Sequence, residues 1–155
     1  DVGAGAGSIG IEWLRCEPSA KAIAIENDPD RVARIKRNAE TLGVPGLKIV
    51  EGQAPNVFSD IEIPPDVVFL GGGVSVPGLL EACWGELSNG GRLVANGVTA
   101  EAEQTLLQFQ KKYNGFIGHP GPSKVAKEIA CKKMRLFGAV GHNNIFCKKN
   151  SNNFK

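Results

Sequence analysis

The sequence predicts an α/β fold built on a doubly wound, mostly parallel sheet. Three observations predict it. The chain opens on a glycine-rich stretch, Asp1 to Gly10, of the kind that turns a strand into a helix. Short β-branched runs then alternate with amphipathic stretches at helical spacing. An acid, Glu26, closes the first of those runs about 20 residues beyond the glycines.

The 155 residues, 42% apolar and 22% charged, suffice for one hydrophobic core. A formal net charge of +2 is too mild to single out a nucleic-acid partner, because Lys and Arg are spread along the chain until a cluster near the C-terminus. No apolar run approaches a membrane span and no signal peptide is present, so a cytoplasmic protein without a membrane partner is expected. Cys16, Cys83, Cys131 and Cys147 lie far apart with only His119 and His142 as companions, so no metal site is expected and the thiols read as buried or free. Asp1 is no translation start and the only methionine is Met134, so the chain is expected to begin inside a longer protein. The strand that feeds the opening turn is then expected to lie before Asp1.

The turn itself supports two readings. Gly3, Gly5 and Gly7 have the spacing of S-adenosylmethionine (AdoMet) methyltransferases, while Gly5, Gly7 and Gly10 match the dinucleotide fingerprint. Both require backbone to approach a ligand without an intervening Cβ. A third reading is a tight turn alone.

Ser8 is the expected cap of a first helix carrying Ile9, Trp13 and Leu14, with Ile11 and Cys16 nearby, ended by Pro18. Lys21 to Ile25 form a strand that delivers Glu26, an acceptor for ribose hydroxyls in either cofactor family. Asp28 and Pro29 begin a crossover helix through Val32, Ile35, Ala39 and Leu42, stopped by Gly43. A strand over Leu47 to Glu51 runs into Gly52, Gln53, Ala54 and Pro55, expected at the edge of the cofactor cleft. The continuous apolar run Val67 to Leu70 predicts a strand buried on both faces, emptying into Gly71, Gly72 and Gly73. Pro77 opens a helix with Leu80, Cys83, Trp84 and Leu87, where Trp84 reads as core. A strand over Arg92 to Asn96 leads to the loop Gly97 to Thr99, and a helix through Leu106, Phe109 and Tyr113 follows. Past Gly115 the alternation fails. Gly118 to Pro122 reads as an irregular turn, the basic run Lys124, Lys127, Lys132, Lys133 and Arg135 as a solvated face, and Asn143, Asn144 and Lys148 to Lys155 as a polar, disordered tail.

Five segments in this order, DVGAGAGSIGIEWLR, AIAIENDPDRVARIKRNAETLGVP, VEGQAP, PDVVFLGGG and GGRLVANGVT, resemble the decarboxylating precorrin methyltransferases of cobalamin biosynthesis, over roughly residues 1 to 115. The resemblance implies a Rossmann-like class I AdoMet-dependent fold, lacking its first strand here and with atypical C-terminal strands. It implies a methyltransferase core over residues 1–115, and the segment over 116–155 departs from the family's pattern and is expected to be atypical and partly disordered. AdoMet is the implied cofactor, bound by Asp1, Gly3, Ala4, Gly5, Gly7, Glu26, Asn27, Gln53, Ala54 and Gly71. Gly72, Gly73, Asn96 and Thr99 would face a tetrapyrrole. A second methyltransferase domain in the same protein and a tetrameric assembly are further implications.

No acid or base is assigned. A reduced tetrapyrrole has nucleophilic bridging carbons, so aligning the ring carbon with the sulfonium methyl supplies much of the acceleration. The electrons left by loss of carbon dioxide from an acetate side chain pass into the conjugated ring. Three rivals stand beside this reading: an AdoMet enzyme with another small-molecule or RNA acceptor, an inactive Rossmann-like remnant, and an NAD-dependent oxidoreductase.

Overall fold

The computed structural model describes residues 1–113 and, for their backbone course, 116–118 and 143–148. The chain divides into two compact units, Asp1–Glu62 and Ile63–Lys155.

In the first unit, helix α1 (Ser8–Cys16), strand β1 (Ile23–Glu26), helix α2 (Pro29–Thr41) and strand β2 (Lys48–Glu51) follow one another, with a 3₁₀ turn at Phe58–Asp60. β1 and β2 pair in parallel, Glu26 opposite Glu51, so α2 is the crossover that a parallel pair requires. Asp1 and Val2 run alongside β1. Val2 makes a parallel bridge to Ile25, and the Gly3 and Ala4 N–H groups both donate to the Ile25 carbonyl at 3.0 Å.

Asp28 caps α2 by accepting from the N–H groups of Asp30 and Arg31, Pro29 occupies the first turn, and Gly43 (φ 78°) follows the last helical residues. These are the start and stop signals present in the sequence. For α1 the expectation needs correction. Ser8 makes no capping bond and is the first helical residue, while Gly7, in the left-handed region, stands at the cap. The Gly7 N–H is already donated to the Ala4 carbonyl at 2.8 Å, which places the change of backbone direction one residue earlier. Ile11 is the fully buried side chain of α1, with Trp13 and Leu14 only half-buried against the core.

That core joins Ile11, Ala22, Ala24, Ile35, Ala39 and Leu47. Alanines at 22, 24 and 39 let helices lie close on the strands, and Ile11 and Ile35 fill the space between. Burying each of these two isoleucines contributes about 1.5–3 kcal/mol.

The second unit holds β3 (Val67–Leu70), α3 (Leu79–Glu86), β4 (Arg92–Gly97), α4 (Ala100–Tyr113), β5 (Phe116–Gly118) and β6 (Asn143–Lys148) in sheet order β3-β4-β6-β5. β3 and β4 are parallel, whereas β6 runs antiparallel to both β4 and β5. The tail expectation is thus overturned for Asn143, Asn144 and Lys148. The apolar triplet Ile145, Phe146 and Cys147 between them is too short a run to stand out, and long-range pairing with Leu93 to Ala95 decides the outcome. The turn at 119–122, the basic run 124–135 and residues 149–155 lie outside the described residues.

α3 begins at Leu79, two residues after Pro77, with Gly78 at its cap (φ 77°). Trp84 is core, as expected. Its ring meets Phe109 edge-on at 5.9 Å between centroids and Tyr113 at 4.9 Å, and those two rings are 4.4 Å apart, so the three pack as one cluster. Beside it the Cys83 thiol is fully buried, and that burial pushes its pKa up to about 12.

Candidate functional site

The opening turn is held from two sides by residues more than 20 positions away. From β1, the Glu26 carboxylate reaches back and accepts the Gly5 N–H through Oε2 at 2.8 Å. Its other oxygen, Oε1, accepts the N–H groups of Asn27 and Asp28 at 3.0 and 3.2 Å. Glu26 is only 3% exposed, so these three donors offset the cost of burying its charge. A carboxylate has about four lone-pair sites. Capacity therefore remains on Oε2 for a further donor such as a hydroxyl.

Gly5 (φ 61°) and Gly7 (φ 79°) both occupy the left-handed region, for different reasons. A Cβ built on Gly5 meets nothing within 4 Å, so the space over it is open to a ligand. A Cβ on Gly7 falls 2.8 Å from the Ile35 Cγ2 methyl. Gly7 thus serves the packing of turn against α2, and Gly5 the approach of something from outside.

Asp1 is buried, and its Oδ2 accepts the Gly10 N–H at 3.2 Å, an interior tie between the start of the turn and the first turn of α1. Gly3 is exposed, Ala4 half-buried. Asn27 is exposed just past Glu26. Gln53 is exposed and Ala54 half-buried in the loop after β2, where the Gly52 N–H donates to the Glu26 carbonyl at 2.9 Å.

The remaining sequence-derived site residues lie in the second unit. Gly71, Gly72, Gly73, Asn96 and Thr99 line one open cleft of about 420 Å³. Val74, Val76, Pro77 and Val98 add apolar lining, with Val98 63% and Val76 42% exposed. Over Gly72 a Cβ meets nothing within 4 Å, so this part of the floor is bare backbone. The Asn96 Oδ1 is buried and, among the described residues, has no hydrogen-bond partner. An orphaned amide oxygen in a cleft lining favours a ligand that donates to it. Thr99 caps α4: its Oγ1 accepts the Ala102 N–H at 3.1 Å, leaving the hydroxyl proton to donate into the cleft. Among the described residues no group of His, Cys, Asp and Glu could hold a metal ion, and no helix is long and apolar enough to cross a membrane.

One residue at the turn was not singled out from the sequence. Asn38 of α2 donates its Nδ2 to the Ala6 carbonyl at 2.9 Å. A signal exists, because position 38 lies three residues from the buried Ile35 and beside the buried Ala39, a polar side chain on an apolar helix face.

A glycine turn open above Gly5, a buried acid at the end of the next strand, and parallel strands joined by helices define the class. The fold is the Rossmann-like one of class I AdoMet-dependent methyltransferases. A SAM-dependent O-methyltransferase from Thermotoga maritima superposes with a TM-score of 0.69 over 99% of this chain and 59% of its own, at only 19% identity.

Closer relatives narrow the class. The precorrin methyltransferase domain model matches residues 1–129, and the chain belongs to that family. It is 50% identical over 115 residues to the precorrin-6Y C(5,15)-methyltransferase [decarboxylating] of a Sinorhizobium species, covering 74% of this chain and 28% of that protein. The crystal structure of the C-terminal domain of precorrin-6Y C5,15-methyltransferase from Rhodobacter capsulatus superposes with a TM-score of 0.71 at 31% identity, over 96% of this chain and 77% of that one. The chain therefore spans less than a third of the length of the curated relative.

Proposed function

We propose that this domain transfers a methyl group from AdoMet to a bridging carbon of a precorrin tetrapyrrole, with loss of carbon dioxide from an acetate side chain. The single observation that carries the cofactor half is Glu26, buried, hydrogen-bonded by three backbone N–H groups, and tied to the turn residue above which space is open. The 50% identity to a decarboxylating precorrin methyltransferase supports the acceptor.

The residues present fit AdoMet. Glu26 would take a ribose hydroxyl on its remaining lone pair, and Gly3, Ala4, Gly5 and Gly7 would pass beneath the methionine portion. Asn27, Gln53 and Ala54 would border the nucleoside. Asp1 acts one step back, through its tie to Gly10. When bound, the sulfonium supplies an electrophilic methyl, to which a ring carbon gives its electron pair while the broken bond's pair stays on sulfur.

The protein's own residues orient the acceptor. In the cleft, Gly71, Gly72 and Gly73 offer a floor without side chains, and Val76 and Val98 offer apolar walls. A flat, conjugated macrocycle suits such a surface. Asn96 would accept a ring N–H at its unpartnered Oδ1, and the Thr99 hydroxyl would donate to a side-chain carboxylate. Neither group is a strong base, in keeping with a step in which the ring's electrons do the bond-making and alignment supplies the rate.

Feeding a purified precorrin intermediate with methyl-labelled AdoMet tests this. Label in the ring together with released carbon dioxide is expected. Methyl transfer to RNA or to an unrelated small molecule, with the precorrin inert, would refute the acceptor assignment while leaving the cofactor assignment standing.

A further inference from the structure

We infer that Asn38 is a positioning residue for the cofactor turn, setting AdoMet affinity without touching the cofactor. The inference rests on the AdoMet reading given above. The opening turn carries its ligand-facing geometry in Gly5 and Gly7, both at positive φ, with Ala6 between them. The Ala6–Gly7 peptide is held at its N–H by the Ala4 carbonyl at 2.8 Å, a bond between near neighbours inside the turn itself. Asn38 ties the other end of that peptide to α2, because its amide Nδ2 holds the Ala6 oxygen at 2.9 Å across 32 positions of sequence.

The restraint is not isolated. Ile35, one helical turn earlier on α2, lies under Gly7 so closely that a Cβ there would come within 2.8 Å of its methyl. Ile35 is fully buried and anchors α2 in the core, so Asn38 is presented from a rigid element. On the other side, Glu26 holds the Gly5 N–H. The Gly5–Ala6–Gly7 segment is thus pinned at an N–H by β1 and at a carbonyl by α2.

The two pins differ in kind. Glu26 is the group assigned to the ribose, and its hydrogen bonds are shared with the ligand when that binds. Asn38 faces the Ala6 carbonyl from α2 and keeps its bond in both states. Without it the turn samples other peptide orientations, and AdoMet must select the competent one, which weakens apparent affinity by the fraction lost. Chemistry on the bound complex is then unaffected.

The test uses the protein at its natural length, with AdoMet affinity by calorimetry and steady-state KM and kcat for both substrates. Asn38→Ala should weaken AdoMet binding about tenfold, the scale of one net hydrogen bond. Asn38→Asp, which sets a carboxylate against the Ala6 oxygen, should weaken it further. Asn38→His, whose ring N–H can replace the amide donor, should recover most of the affinity. The kcat at saturating AdoMet and the KM for the tetrapyrrole should stay unchanged in all three. Should Asn38→Ala not fold, Asn38→His against Asn38→Asp carries the same comparison. Unaltered AdoMet affinity in the Ala and Asp variants would overturn the inference, as would a parallel fall in kcat and in affinity for both substrates. A wild-type protein that binds no AdoMet would overturn the cofactor reading itself, a result separate from any difference among the variants.

Discussion

Replacing Gly5 and Gly7 by alanine should damage the protein in two different ways. Both residues have positive φ, a conformation that costs an L-residue about 1–2 kcal/mol. For Gly5→Ala that is the whole structural cost, since nothing lies within 4 Å of the new methyl. For Gly7→Ala the methyl meets Ile35 Cγ2 at 2.8 Å and Ile11 Cδ1 at 3.3 Å, both on side chains locked in the core. Overpacking of this kind adds about 1–3 kcal/mol. At about 2–4 °C per kcal/mol for a chain of this size, Gly7→Ala should lower the melting temperature by roughly 4–20 °C and Gly5→Ala by roughly 2–8 °C. The order should reverse for the ligand. In Gly5→Ala the methyl projects into the space assigned to AdoMet, and calorimetry should find binding weakened at least about a hundredfold. Gly7→Ala, where it remains folded, should bind within about tenfold of wild type. Equal melting points for the two variants, or intact AdoMet binding by Gly5→Ala, would refute the division of labour between the two glycines.

Glu26→Gln replaces one accepting oxygen with an NH₂ that faces backbone N–H donors. It should lower stability by about 1–3 kcal/mol and weaken AdoMet more than it weakens the tetrapyrrole, read by thermal unfolding and calorimetry. Gly72→Leu adds bulk to an open cleft floor, so its melting temperature and AdoMet affinity should hold while the tetrapyrrole KM rises about tenfold or more. Asp28→Ala removes the cap of α2 and should cost about 1 kcal/mol in a thermal melt, with no change in kcat. For Cys83, burial raises the folded-state pKa to about 12 from an ordinary 9.0. Between those values the folded chain keeps a proton that the unfolded chain releases. The contribution to stability is therefore complete below pH 9 and is lost as pH rises toward 12, a fall that unfolding curves across that window would record. At pH 8, Cys83 should resist a thiol reagent that labels the exposed Cys16, as peptide mapping would show.

The parts legible in the sequence are those where local chemistry and tertiary structure agree. Asp28, Pro29 and Gly43 mark the ends of α2 because capping and backbone preference act over a few residues. The runs Val67 to Leu70 and Leu93 to Ala95 show as strands because each is a short continuous apolar stretch between turn residues, although burial on both faces does not hold for the first: Val68 and Leu70 are buried while Val67 and Phe69 are only half-buried. Glu26 stood out because a strand end followed by an acid is a spacing, and spacing survives in one dimension. What escaped depended on partners distant in the chain. β6 owes its strand to β4, across more than 40 residues, and its own asparagines and lysine argue for a loop. Ser8 has the chemistry of a cap, but the conformation of Gly7 settled that point first. Asn38 shows in one dimension only as a polar residue beside the apolar face of α2, and its purpose appears when Ala6 is found opposite it.

The claim on which the rest depends is that the opening turn and Glu26 together hold the cofactor. A crystal structure of the complex with S-adenosylhomocysteine tests it most directly. A ribose hydroxyl should lie within hydrogen-bonding distance of the Glu26 carboxylate, with the homocysteine portion over Gly5. A nucleoside bound elsewhere, or a Glu26 carboxylate making only its bonds to Gly5, Asn27 and Asp28 in the presence of saturating ligand, would contradict it.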